Sequence, residues 1–152
     1  MKVKDIMTEP AIVVGEGSTL EQVARMMVEQ RIGCLPVVDA DGNITGVITE
    51  ANLFAKNKCV PFSRYRLPQL FGVWMDNAGL EEIYREASSI SAREIMTAPA
   101  ITVQEDDSIE SLVGTMLHHK IKHLPVVREG KPTGMVARRD LIKLIFAAEP
   151  AG

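Results

Sequence analysis

The sequence predicts an α/β fold built from two copies of one β-α-β-β-α unit, and three observations predict it. Superposing residues 3–38 on 92–127 makes 15 of 36 positions identical, the mark of an internal repeat. Each copy carries an apolar stripe at 3.6-residue spacing between short β-branched runs. Leu35-Pro36-Val37-Val38 recurs as Leu124-Pro125-Val126-Val127, each time ahead of a tight turn and a second apolar run.

In the first copy a short helical turn is expected over Val3 to Met7. Pro10 breaks it, and Ala11-Ile12-Val13-Val14 continues as an edge-like strand, because proline lacks an amide donor and disfavours helix before it. Ser18-x-x-Glu21 reads as a capping box that starts a helix. Its apolar face is Leu20, Val23, Ala24, Met27 and Val28, a spacing that packs against a core. The strand Cys34 to Val38 follows, then a turn over Asp39 to Asn43, whose Asp-Gly signals a hairpin. A returning strand over Ile44 to Thr49 leads into a helix from Glu50.

The second copy repeats Ile6-Met7-Thr8 as Ile95-Met96-Thr97 and Pro10-Ala11-Ile12 as Pro99-Ala100-Ile101. Asp107-x-x-Glu110 stands in place of the first capping box, and Ile109, Leu112, Val113, Met116 and Leu117 keep the register of the stripe. The hairpin turns at Glu129-Gly130-Lys131, one residue shorter, and a last helix is expected over Arg138 to Ala148.

Between the copies, residues 56–91 hold Phe62, Tyr65, Phe71, Trp74 and Tyr84, too aromatic a set for a disordered linker. Leu80 to Ala87 reads as a short amphipathic helix. Two roles suit this insert: a cap over an edge of its own chain, or a dimer or partner surface, where aromatics are enriched. The expected organisation is a first repeat over 1–55, the insert over 56–91 and a second repeat over 92–152.

A chain of 152 residues that is 46% hydrophobic and 24% charged is globular in composition,. Its net charge of -3 offers no general basic surface for nucleic acid or anionic membrane. Cys34 and Cys59 form no C-x-x-C pair, so reduced thiols are expected rather than a disulfide framework or structural zinc. No apolar signal region follows Met1 and no run is long enough to span a bilayer, so a cytoplasmic location is expected.

Ile-Met-Thr-x-Pro, the capped helix, Leu-Pro-Val-Val and the run from glycine to Asp/Asn-Leu occur in both halves in one order. Together they resemble a tandem pair of cystathionine β-synthase (CBS) domains over residues 3–55 and 92–147, and residues 56–91 are similar to an insert in some bacterial stand-alone CBS proteins. The resemblance implies two repeats packed sheet to sheet about a pseudo-twofold axis. It also implies two clefts that take adenosine-containing ligands: AMP, ADP, ATP, S-adenosylmethionine or NAD. In the family pattern Gly-h-x-Ser/Thr-x-x-Asp, the aspartate holds the ribose hydroxyls, the hydroxyl residue faces phosphate and strand residues sandwich adenine. Hydrogen bonds to such a carboxylate are worth about 1.5–3 kcal/mol, and a helix N-terminus offers free amides to an anion.

Carried onto Gly46-Val47-Ile48-Thr49-Glu50-Ala51-Asn52, the pattern keeps the hydroxyl of Thr49 but has Asn52 for the aspartate. A neutral amide must then hold the ribose. The resemblance builds this cleft from Val47, Thr49, Asn52 and Gly33, with Ile101, Thr102 and Ile121 of the other copy. Carried onto Gly134-Met135-Val136-Ala137-Arg138-Arg139-Asp140, it keeps Asp140 and loses the hydroxyl at Ala137. That cleft is expected to be the better site, with adenine between Ile12, Ile32 and Met135, Val13 beside them, and phosphates met by Lys122 and Arg138 or Arg139. Arginines at a helix start oppose the helix dipole by roughly 0.3–1 kcal/mol each; a bound anion would offset this, and plain solvation is the other reading.

His118, His119 and His123 fall where a helix is expected to end near Lys120, so they read as surface or cleft-edge histidines rather than metal ligands. No nucleophile motif, paired-carboxylate signature or glycine-rich phosphate loop is present, so no enzyme and no catalytic cofactor are expected. The expectation is a homodimeric regulatory module that binds an adenosyl ligand and, having no effector domain of its own, signals to a partner protein. The alternative is a scaffold whose clefts have lost nucleotide binding, given Asn52 and Ala137.

Overall fold

Each repeat forms a three-stranded sheet whose central strand carries the Leu-Pro-Val-Val tetrapeptide. The computed structural model describes residues 1–53, 85 and 88–147. The insert's five aromatics, Cys59, Ala148 and, apart from Arg85, the expected helix over residues 80–87 lie outside the described residues. The first half comprises β1 (Val14–Gly15), α1 (Leu20–Gln30), β2 (Cys34–Val38), β3 (Ile44–Thr49) and α2 (Glu50–Leu53). The second comprises α3 (Ala92–Ile95), β4 (Val103–Gln104), α4 (Ile109–His119), β5 (His123–Arg128) and β6 (Lys131–Ala137), then a 3-10 turn (Arg138–Ile142) running into α5 (Lys143–Ala147).

In each sheet the first strand is parallel and the third antiparallel to the central one. β1 reaches only Val37 and Val38, so Pro36, which has no amide to give, lies just outside the parallel ladder. The hairpins close through Gly42 and Gly130, with φ of 87° and 80°, a region that glycine enters without a Cβ clash.

Several elements differ from the expected boundaries. The N-terminal turn is a 3-10 helix over Val3–Asp5, and of the strand expected over Ala11 to Val14 only Val14 pairs, the strand running on to Gly15. α1 is capped by Thr19, not Ser18: the Gln22 amide donates to Thr19 Oγ1 at 3.2 Å and the Thr19 amide to Gln22 Oε1 at 2.9 Å. The reason is that the Ser18 carbonyl is taken by the Ala92 amide at 2.7 Å, which holds that stretch extended one residue further. Glu21 instead pairs with Arg25 one turn on. In the second half Ser108, not Asp107, caps α4, accepting from the Ser111 amide at 3.1 Å, while Asp107 Oδ2 accepts from the Gln104 amide. The stripe is narrower than its spacing implies, because Val28 and Leu117, one repeat apart, are 78% and 73% exposed. The last helix opens with the 3-10 turn rather than as one α-helix.

The two cores exchange their N-terminal segments. Val14, Leu20, Val23, Leu35, Val37 and Ile48 of the first half are joined by Ala92 and Ile95, which precede the second sheet. Val103, Leu112, Leu124, Val126 and Val136 are joined by Val3 and Ile6 from the start of the chain. Each exchanged valine or isoleucine is fully buried or nearly so, a contribution of about 1.5–3 kcal/mol apiece.

Backbone hydrogen bonds fix the exchange. Thr8 and Met135 trade N–H···O bonds of 2.9 Å each, and Thr97 and Val47 trade bonds of 2.8 and 3.0 Å. This approach needs glycine beside it: a Cβ on Gly46 would stand 2.6 Å from Met96 Sδ and 2.8 Å from the Thr97 carbonyl, and one on Gly134 2.7 Å from Met7 Sδ. The glycine of each Gly-h-x-x-x-x motif is thus explained by the segment that crosses over it.

Candidate functional site

The crossing segments open one cleft on each side of the repeat axis. Ile12 and Ile101, just after the cis prolines Pro10 and Pro99, face the first residues of the opposite half's third-strand turn. The first cleft, of about 210 Å³, is walled by Ile12, Arg31 and Ile32 of the first half and by Met135, Ala137, Arg139 and Asp140 of the second. The second, of about 460 Å³, exchanges the halves: Ile101, Lys120, Ile121 and Lys122 face Val47, Thr49, Glu50 and Ala51. Thr8 with Pro10 and Thr97 with Pro99 close corresponding ends. Gly33, Cys34 and His123 line both clefts.

Of the residues expected in the first cleft, Asp140, Ala137, Met135, Arg139, Ile12 and Ile32 lie on its wall. Lys122 lies in the second cleft instead, because the residues entering β5 stay with Ile101 and Ile121 of their own half. Val13 turns into a groove along α1 with Ser18 and Arg25: extended residues alternate sides, so the neighbour of an inward Ile12 points away. The Arg138 side chain is exposed and its amide donates to the Lys122 carbonyl at 2.8 Å.

In the second cleft Thr49, Val47, Gly33, Ile101 and Ile121 lie on the wall, whereas Thr102 is not among the residues lining it. Asn52 is 8% exposed and supports the wall from behind. Its Oδ1 accepts from the Thr49 amide at 2.7 Å and from Thr49 Oγ1 at 3.2 Å, and its Nδ2 donates to Thr97 Oγ1 at 3.2 Å. Asp140 takes the equivalent place, accepting from the Ala137 amide at 2.7 Å while Lys143 Nζ lies 3.1 Å from its second oxygen.

Sequence reasoning missed Arg31 and Lys120. They end α1 and α4 with φ of 54° each, a left-handed conformation that ordinarily favours glycine and costs other residues roughly 1–2 kcal/mol. The signal was available: a basic residue stands, in both copies, where a helix that stops before Ile32 or Ile121 wants glycine. It also missed the shared wall. Burial alone pushes the Cys34 thiol up to about 12, so it stays neutral and unreactive. His123, half-buried at the start of β5, has its pKa lowered, first by desolvation and also by Lys122, against opposing pulls from Glu50 and Asp140. His118 and His119 lie at the end of α4 with their rings edge to face at 4.8 Å, on a different element from His123.

No helix among the described residues is long and apolar enough to cross a membrane. The CBS domain profile matches residues 3–57 and 92–147. The CBS domain of a CBS domain-containing membrane protein from Sphaerobacter thermophilus is 36% identical, with a TM-score of 0.79 over 95% of this chain and 87% of that one. Two more distant structures show the same fold. A CBS domain pair in complex with 5′-methylthioadenosine and S-adenosyl-L-methionine is 22% identical, with a TM-score of 0.69 over 98% of both chains. CBSX2 in complex with AMP is 21% identical, with a TM-score of 0.70 over 96% of both. With both repeats matched and both sheets laid out as in these structures, the chain belongs to the CBS domain family as a tandem pair.

Proposed function

We propose that the clefts bind an adenosine-containing ligand, AMP, ADP, ATP or S-adenosylmethionine, and that occupancy is relayed to a partner protein by a cytoplasmic homodimer. One observation carries this reading: each cleft is an apolar slot with a basic mouth. Ile12, Ile32 and Met135 in one, and Ile101, Ile121 and Val47 in the other, offer flat aliphatic walls to a base. Arg31 with Arg139, and Lys120 with Lys122, offer cations to a phosphate,. Retaining a basic side chain at a backbone position that favours glycine supports a role for its charge.

Asp140 keeps lone pairs beyond those used by the Ala137 amide and Lys143, so it can accept from ribose hydroxyls. Asn52 has both amide ends engaged, which favours the first cleft for ribose. The same engagement supports the scaffold alternative for the second cleft.

Calorimetric titration of the purified protein with AMP, ADP, ATP, S-adenosylmethionine and adenosine tests the reading. Arg31→Gly should weaken AMP about tenfold, equivalent to about 1.4 kcal/mol, without lowering the melting temperature, since glycine suits that backbone. Absence of heat with every compound would overturn the sensor in favour of the scaffold, and equal affinities for AMP and adenosine would overturn the phosphate role of the basic mouths.

A further inference from the structure

The two clefts lie on either side of a shared wall. Gly33, Cys34 and His123 wall both, and the three differ in what they can do. Gly33 has no side chain. Cys34 is 5% exposed and its thiol is neutral throughout the physiological range. His123 is half-buried and carries an imidazole, the side chain whose charge ordinarily changes between about pH 5 and 8.

The position of His123 is asymmetric. It is the repeat partner of Cys34: each opens the central strand of its sheet, Cys34 opposite Thr49 and His123 opposite Ala137. An exact repeat would have put the same group on both sides of the axis. Here one side is a thiol and the other a titratable ring, so one proton serves two cavities.

The charges around that ring come from both clefts. Glu50, at the start of α2, acts on it from the second cleft, and Asp140, in the turn after β6, from the first; Lys122 precedes it in the chain. Arg31 and Arg139 in the first cleft, and Lys120 in the second, complete the charged lining. The carboxylates of Glu50 and Asp140, one from each cleft, therefore favour the imidazolium, while burial, first, and Lys122 disfavour it.

We propose that His123 couples the two clefts through its proton: an anion in either cleft favours the imidazolium, and the imidazolium in turn favours an anion in the other. By linkage the effect is reciprocal, so a proton taken up with the first ligand strengthens the second. The proposal rests on the nucleotide reading above only for the identity of the anion. The shared wall itself is a property of the chain alone.

The test therefore has a ligand-free arm and a ligand arm. In the first, the His123 ring is titrated by NMR in the wild type and in Glu50→Gln and Asp140→Asn, its resonance assigned by its loss in His123→Gln. Because each carboxylate holds the imidazolium from a different cleft, the His123 pKa should fall in both variants. A pKa that responds to only one of them, or to neither, overturns the coupling.

In the second arm AMP affinity is measured at about pH 7.5 and about pH 5.5 in the wild type and in His123→Gln. The ratio of the two proteins' affinities removes the titration of the AMP phosphate itself, whose second pKa is about 6. That ratio should rise about threefold or more toward the lower pH. A flat ratio with AMP bound overturns the coupling. No AMP binding to any protein overturns the nucleotide reading, and the ring titrations then decide the coupling alone.

Discussion

Asp140 and Asn52 close the same backbone turn in the two halves, Asp140 Oδ2 accepting from the Ala137 amide and Asn52 Oδ1 from the Thr49 amide, each at 2.7 Å. The rest of each side chain reaches the segment that crosses from the other half. Asn52 donates to Thr97 Oγ1 directly, and Asp140 acts through Lys143, whose Nζ donates to the Ile6 carbonyl at 2.9 Å. The residue that the family resemblance assigns to ribose is thus also the one that ties the helix start to the exchanged segment.

Truncating Asp140 should therefore do more than weaken a ligand. Asp140→Ala leaves the Ala137 amide uncapped and Lys143 without its carboxylate, a loss of about 1–3 kcal/mol in urea unfolding. Asp140→Asn keeps the turn, as Asn52 does in the other half, and should lose less than half as much. It is consequently the cleaner variant for reading ribose binding by calorimetry. Equal losses of stability in the two variants would contradict the capping role.

Glycine substitutions should separate close approach from free space. Gly46→Ala and Gly134→Ala force a Cβ into Met96 and Met7 and the neighbouring backbone, at a cost of about 1–3 kcal/mol each. A loss of that size lowers the melting temperature by roughly 2–4 °C per kcal/mol for a chain of this length. Gly114, within α4, has nothing within 4 Å of its Cβ position. Gly114→Ala should raise stability by about 0.5–1 kcal/mol through helix propensity. Calorimetric scans of the three variants decide the matter.

Alkaline pH should unmask Cys34. Its thiol is raised from 9.0 to about 12 by burial, so the folded state favours the protonated form. The stabilisation from this group is complete below about pH 9 and is lost as pH rises toward 12. By about pH 10.5 the wild type should have lost about 2 kcal/mol more than Cys34→Ala, relative to neutral pH. Urea midpoints measured at the two pH values check this. Native Cys34 should also resist thiol reagents at about pH 8.

The strands and long helices were legible because their periods are written in β-branched runs and apolar spacing, and the hairpins because Asp-Gly and Glu-Gly can take positive φ. What stayed hidden came from contacts between the halves. The cap of α1 moved from Ser18 to Thr19 because the Ser18 carbonyl is bound by Ala92, a partner that no local pattern names. Lys122 lines the second cleft rather than the first, because a repeat tells which residues correspond, not which wall each faces. Val13 lies in a groove along α1 and Thr102 lines neither cleft, while their neighbours Ile12 and Ile101 do; a repeat marks the stretch but not which residue of it faces inward. Arg31 and Lys120 stay hidden in the sequence because a basic residue at a helix end is also what the helix dipole favours.

The exchange of Val3 and Ile6 for Ala92 and Ile95 also sets an order of events at the ribosome. The first core cannot be completed until Ile95 has been made, and Val3 and Ile6 wait for Val136. Contacts such as that of Val3 with Asp107 join residues far apart in sequence, the kind of pairing whose closure slows folding. Neither half can be finished early and set aside, so Val3 and Ile6 stay exposed on the nascent chain until β6 emerges.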